Sequence, residues 1–149
     1  MGYIVSQTQT TGTKLTVEEI DRLLDAYYGA ALRRDTEGVL ATYAENAEHY
    51  AVGRANNPIQ GKEALRSHYS TTFENNPPER ITPVHRLYAP DYVVDEAVVD
   101  YRAIGKPFGL EGRNRVAHVR ILHVLEFRDG LIVRDSAWFD QVAFQEQLR

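Results

Sequence analysis

The chain contains no cysteine. That excludes a disulfide scaffold, a cysteine nucleophile, a zinc–thiolate site and an iron–sulfur cluster. No stretch approaches the roughly 18 apolar residues that span a bilayer. The opening segment, MGYIVSQTQTTGTK, lacks the apolar run of a signal peptide. Positive charge is not in excess: 17 Lys and Arg against 21 Asp and Glu leave a formal charge of −4. A broad basic footprint for nucleic acid is therefore excluded. There is no glycine-rich phosphate loop, serine nucleophile elbow or Rossmann fingerprint. The five histidines show no metal-ligand spacing. The expectations are no cofactor, no metal, no nucleic-acid or membrane partner, and a cytoplasmic location by default.

What is present suits one globular unit. Across 149 residues, 43% are hydrophobic and 26% charged, and a chain this long buries about two-thirds of its unfolded surface. Residues 1–14 read as a flexible arm and 15–149 as a single domain. Thr16-Val17-Glu18-Glu19 is a capping box. Ile20, Leu23, Leu24, Tyr27, Ala31 and Leu32 then recur at helical spacing, predicting a helix from Val17 to Arg34. Asp35 caps a second helix carrying Val39, Leu40 and Tyr43. Ala47–Val52 reads as a strand and Gly53–Pro58 as a loop. Gly61 opens a third helix, which Asn75-Asn76-Pro77-Pro78 stops.

From Ile81 the period changes to two. Ile81–Tyr88, Tyr92–Ile104, Val116–Phe127 and Leu131–Phe139 read as strands, and Gln141–Leu148 has room for a terminal helical turn or two. Three helices followed by a strand meander imply an α+β fold with helices on one face of the sheet. On the third strand of that meander, His123 shares the apolar row of Val119, Ile121, Leu125 and Phe127. Asp135 shares a row with Val133, Ala137 and Phe139. A type I turn with a glycine bulge at Asp129-Gly130 would set His123 opposite Asp135; a plain two-residue turn would set it opposite Ser136. A carboxylate beside a buried imidazole orients it and stabilises its protonated form, equipping it for acid–base work. The alternative is a structural pair inside a sealed core.

The element order resembles the nuclear-transport-factor-2-like superfamily, and within it the SnoaL-like polyketide cyclases. The residues that carry the resemblance are Tyr43–Ala47, Gly61–Leu65, Phe127–Asp135, Trp138-Phe139-Asp140 and Gln147-Leu148, and it spans Val17 to Leu148. It implies a conical, curved antiparallel or mixed sheet wrapped around the long first helix, enclosing an apolar pocket. It also implies a homodimer paired through the outer sheet face, where His118, Arg120, Leu122 and Val124 mix polar and apolar groups.

The resemblance places a histidine near His123 in the cyclases. It also sets Tyr27 where ketosteroid isomerases carry an oxyanion-stabilising tyrosine. Two of the family's acids are replaced, by Ala51 and Ala137. The remaining acid candidates are Asp135, Glu96 and Asp100. Asp100 matches an acid of the epoxide hydrolases, but Val98 stands where they have an arginine. Strand parity also puts Asp100 with Glu96 and Arg102, off the apolar row of Val93, Ala97, Val99 and Tyr101. His85 is a further candidate for the pocket wall. The expected function is cofactor-free acid–base chemistry on a hydrophobic, carbonyl-bearing polycyclic or polyketide-like molecule: cyclisation, isomerisation or dehydration through an enolate. His123 would move the proton, Asp135 would orient it and Tyr27 would polarise the carbonyl. The alternatives are an epoxide-opening hydrolase or cyclase, and a non-catalytic ligand-binding or dimerisation module. Val119, Ile121, Leu125, Val133, Ala137 and Phe139 are the expected pocket lining.

Overall fold

The structure is a computed structural model describing Gly2 and residues 14–149. The expected arm therefore lies outside the described residues, apart from Gly2 and Lys14. Lys14 is tied to the body, ion-paired with Asp91 at 3.2 Å.

Local chemistry sets the helices. Both halves of the capping box at Thr16 and Glu19 form, and they start α1 (Val17–Leu32). Asp35 accepts from the Gly38 amide at 2.9 Å and starts α2 (Thr36–Leu40). The Thr42 hydroxyl then donates to the Val39 carbonyl at 2.6 Å, and the chain turns out of the helix. Tyr43 is thus the first residue of β1 (Tyr43–Ala51), not a helical residue as the sequence implied. A two-residue strand β2 (Ile59–Gln60) follows, then α3 (Lys62–Asn75).

β3 (Pro78–Ala89), β4 (Tyr92–Ala103), β5 (Arg115–Arg128) and β6 (Leu131–Phe139) form the meander. The chain then turns into α4 (Gln141–Glu146), capped by Asp140. Among the described residues the α-helices number four rather than the expected three, because the terminal turn is long enough to count.

The six strands make one open, curved sheet in the order β2-β1-β6-β5-β4-β3. β1 runs parallel to β6, and every other pair is antiparallel. α1 buries Ile20, Leu24, Tyr27 and Ala31 against Val93, Leu125, Phe127 and Ile132 of the sheet. A second apolar cluster, with Val99, Val119, Ile121, Ala137, Phe144 and Leu148, fills the end covered by α4.

The β5–β6 hairpin departs from the expected register. Asp129 and Gly130 both have positive φ, +52° and +76°, so they form a two-residue turn with Arg128 opposite Leu131. Carried on unchanged, that register would face His123 with Ser136 and turn Asp135 to the outer surface. Val133 prevents this. It is an extra residue between Ile132 and Arg134, a bulge that restores the parity of β6. His123 lies opposite Ala137 and Asp135 opposite Leu125. The two are diagonal neighbours on one face rather than a facing pair. A Cβ on Gly130 would meet nothing within 4 Å, so only its left-handed backbone resists substitution. Gly130→Ala is expected to lose about 1 kcal/mol of stability in urea unfolding, the backbone cost alone.

Candidate active site

Four inward-facing side chains cross four adjacent strands at one level. His49 on β1 lies beside Asp135 on β6, and His123 on β5 lies beside Asp95 on β4. The diagonal contact between His123 and Asp135 joins the two pairs, with Nδ1 to Oδ1 at 2.9 Å. The belt reads imidazole, carboxylate, imidazole, carboxylate. Asp135 is 0% exposed and Asp95 1%. A buried charge must be compensated or the fold loses several kcal/mol.

The two carboxylates are compensated differently. Asp95 accepts from Arg86 Nε at 2.7 Å and from the Tyr28 hydroxyl. Arg86 also pairs with Asp21 at 2.7 Å, so Asp95 sits in a permanent ion network. Asp135 has no Lys or Arg within ion-pair distance among the described residues. It accepts from the Tyr43 hydroxyl at 2.6 Å and from His123 Nδ1, while His49 Nε2 stands 3.6 Å away. Burial alone would raise its pKa. The charge of His123, the nearness of His49 and the hydrogen bonds from His123 and Tyr43 outweigh that and hold it well below the usual carboxylate range. His123 responds in kind. Burial opposes its charged form, but the charge and hydrogen bond of Asp135, helped by Asp95, raise its pKa above the ordinary value.

The tautomers follow from the donors. An ionised Asp135 only accepts, so His123 carries its proton on Nδ1. Its Nε2 has no hydrogen-bond partner among the described residues, and the ring lines the cavity. At His49, Nδ1 faces Arg54 Nη2 at 3.1 Å. Arginine only donates, so His49 is neutral, with its proton on Nε2 toward Asp135. Burial lowers the His49 pKa, and Arg54 and His123 oppose the compensating charge of Asp135. His68 packs its ring on His49 at 4.5 Å between centroids. Burial, reinforced by His49 and Arg54, pulls His68 down to about 3.

Tyr27 is buried, but its proton is already committed. Its hydroxyl meets Tyr69 at 2.9 Å, Tyr69 meets Tyr43 at 2.5 Å, and Tyr43 donates to Asp135. Each phenol has one proton, so the carboxylate at one end orders the chain: Tyr27 donates to Tyr69 and Tyr69 to Tyr43. To polarise a carbonyl, Tyr27 would have to leave one contact of the chain, Tyr27–Tyr69 or Tyr69–Tyr43, without a proton between its oxygens. The carbonyl-polarising role expected for Tyr27 is corrected accordingly: it anchors the chain and lends its oxygen and ring edge to the cavity wall.

A cavity of about 340 Å³ lies where the two apolar clusters meet, walled by Val119, Ile121, Ala137, Phe139, Tyr101 and Phe144, with His123, Tyr27, His49, His68 and Arg54 among its polar groups. Ala51 and Ala137, the two positions without acids, also line it. Leu125 does not; it is fully buried in the α1 core. Val133 does not either, because it is the bulge. Glu96 bonds Arg120, and Asp100 bonds His118 and Arg80 at 2.6 and 2.8 Å. Both acids lie on the outer sheet face, as the parity of β4 dictates. His85 is exposed, opposite Glu96. None of these three reaches the cavity, so each is withdrawn as a candidate.

The sequence reading passed over His49, His68, Asp95, Tyr43, Tyr69 and Arg54. Two of them were within reach. Asp95 falls in the same row as Val93, Ala97 and Val99, and His49 in the same row as Ala47 and Ala51.

The imidazoles give stability a pH dependence with a definite sign. His49 and His68 bind protons less readily folded than unfolded, so stability rises with pH between about 3 and the free-histidine value near 6.5. His123 works oppositely: its contribution is present below 6.5 and is lost as pH rises through its folded value. Urea unfolding should show wild-type stability falling from pH 6.5 toward pH 4. In His68→Gln the fall should be shallower.

The comparisons agree with this architecture. None of the curated proteins matches the sequence. Among solved structures, a protein from Jannaschia sp. CCS1 named a SnoaL-like polyketide cyclase superimposes with a TM-score of 0.76 at 18% identity, covering 96% of this chain and 97% of that one. A protein from Bacillus subtilis named an isomerase gives 0.75 at 20% identity, covering 87% and 92%. An LEH-like epoxide hydrolase of M. tuberculosis gives 0.69 at 17%, covering 88% and 90%. At these identities the likeness is one of fold. The family model of the SnoaL-like domain matches residues 24–135. That span runs from mid-α1 to Asp135 itself, and on it the chain belongs to the SnoaL-like domain family.

Proposed function

We propose that the protein is a general acid–base catalyst for a hydrophobic, carbonyl-bearing small molecule held in the cavity, using no cofactor. The observation that carries this reading is His123: its Nδ1 is fixed on a fully buried carboxylate, and its Nε2 is unpartnered on a ring that faces the cavity. Such an imidazole takes a proton at Nε2, and Asp135 stabilises the imidazolium that results. The proton removed would lie next to a carbonyl, giving an enolate that then isomerises, closes a ring or loses water.

The epoxide-opening alternative needs a carboxylate at the cavity surface. Among the described residues no Asp or Glu lines the cavity, and its two candidates face outward. The polyketide cyclase and isomerase names among the structural neighbours are compatible with proton transfer, although fold does not fix a reaction. A pairing of two copies through the outer sheet face completes the proposal. Leu122 and Trp138 are 37% and 43% exposed there, set among the ion pairs Glu96–Arg120 and Asp100–His118, a mixture typical of protein interfaces. No described helix is long and apolar enough to cross a membrane.

A β,γ-unsaturated ketone such as 5-androstene-3,17-dione is the test substrate, because moving one proton from its α carbon to its γ carbon conjugates it and changes its ultraviolet absorbance. Wild-type protein should accelerate that change. His123→Ala and Asp135→Asn should each lower turnover by about 10²-fold or more, and the double variant should lose little beyond the worse single one. Full activity in His123→Ala would overturn the mechanism. Light scattering at tens of micromolar should report twice the chain mass, and a monomer there would remove the dimer.

A further inference from the structure

Arg54 leaves a charged donor of the site unmet. It stands in the loop between β1 and β2, and Asn57 pins that loop with a full set of bonds. The Asn57 side chain donates to the Ala51 and Arg54 carbonyls at 2.6 and 2.8 Å, and accepts from the Ala51 amide and Arg54 Nε, both at 3.0 Å. Nη2 is spent on His49, donating to Nδ1 and to the carbonyl oxygen. Nη1 is buried and has no partner. A buried donor left unmet opposes folding, and a charged one more so.

The charge is as unmet as the donor. Every acceptor of Arg54 is neutral: the Asn57 amide, the His49 ring and a backbone carbonyl. No Asp or Glu lies within ion-pair distance of it among the described residues. The surroundings point the same way. A second chamber of about 450 Å³ adjoins the first and shares Arg54, His68, Thr72, Asn76, Pro107 and Phe108 with it. Neither chamber has a carboxylate in its wall among the described residues. The other cation there, Lys106, is paired with Glu111 at 2.9 Å.

We propose that the ligand carries a carboxylate and that Arg54 is its receptor. The carboxylate neutralises the guanidinium where Arg54 lines both chambers, and the apolar body reaches along Val119, Ile121 and Phe139 to His123. One guanidinium without a carboxylate partner, and no second unpaired cation among the described residues of the two walls, suits one negative charge rather than a phosphate dianion. A permanent cation also calls for a partner in the bound ground state, so Arg54 acts in binding and selection rather than in proton transfer.

This inference rests on the cavity being the ligand site, and the test separates the two. Anthraquinone-2-carboxylic acid and its methyl ester are titrated into the protein at pH 7 by calorimetry. The acid should bind about 10-fold or more tightly than the ester, the scale of a charge-assisted hydrogen bond. Arg54→Gln should abolish that preference, acid and ester then binding alike, while His123→Ala should keep the preference. Continued binding of the ester by the variant also reports that its cavity persists. Equal binding of acid and ester by wild type, or an acid preference that survives in Arg54→Gln, would overturn the carboxylate and leave the cavity standing. If neither compound binds, both readings fall together.

Discussion

Everything in the site depends on keeping one negative charge where water cannot reach it. Asp135 is fully buried, and nothing permanently positive among the described residues is bonded to it. Its stability comes from the Tyr43 hydroxyl, from His123 and from the more distant His49. Of these, only an imidazole can bring a full compensating charge, and only by taking up a proton. The electrostatic demand of the carboxylate is therefore expressed as proton affinity at His123, the one group of the pair that lines the cavity. Asp95 shows the contrast. It is equally buried and occupies the next strand but one, yet Arg86 satisfies it outright. One carboxylate is closed off, and the other holds a proton acceptor ready.

The same charge organises the helices. The three phenols that lead from it belong to β1, α3 and α1 in turn. The chain of hydrogen bonds thus ties the concave face of the sheet to both long helices through the floor of the cavity. Arg54 acts from the opposite side, fixing His49 as a neutral donor that completes the ring around Asp135.

The sequence made much of this legible and hid specific parts. The row of His123 on β5 and the outward parity of Glu96 and Asp100 on β4 were readable, because unbroken strands keep a period of two. The inward row of β6 was read one residue too far, to Val133, because a bulge leaves no signature in hydrophobic alternation. The contact of His123 with Asp135 was anticipated, but through the wrong register: the turn has two residues and the bulge restores the parity. His49 was hidden for a different reason. Its partner strand is parallel and more than eighty residues away, and no local pattern announces such a pairing. The role given to Tyr27 failed on proton bookkeeping. Its position could be counted along the chain, whereas the direction of its hydrogen bond depends on Tyr69, Tyr43 and Asp135, brought to it from three other elements.

The fixed order of the phenol protons has a consequence for selectivity. Since Tyr27 donates away from the cavity, the wall near α1 presents oxygen lone pairs, and His123 Nε2 adds another acceptor in its neutral state. Another part of the wall carries the positive charge of Arg54. The cavity is electrically asymmetric from one wall to the other before anything enters it. A guest with unlike ends has one low-energy orientation in such a field. Which of its hydrogens meets the imidazole, and from which face, is then decided on binding rather than at the moment of proton transfer.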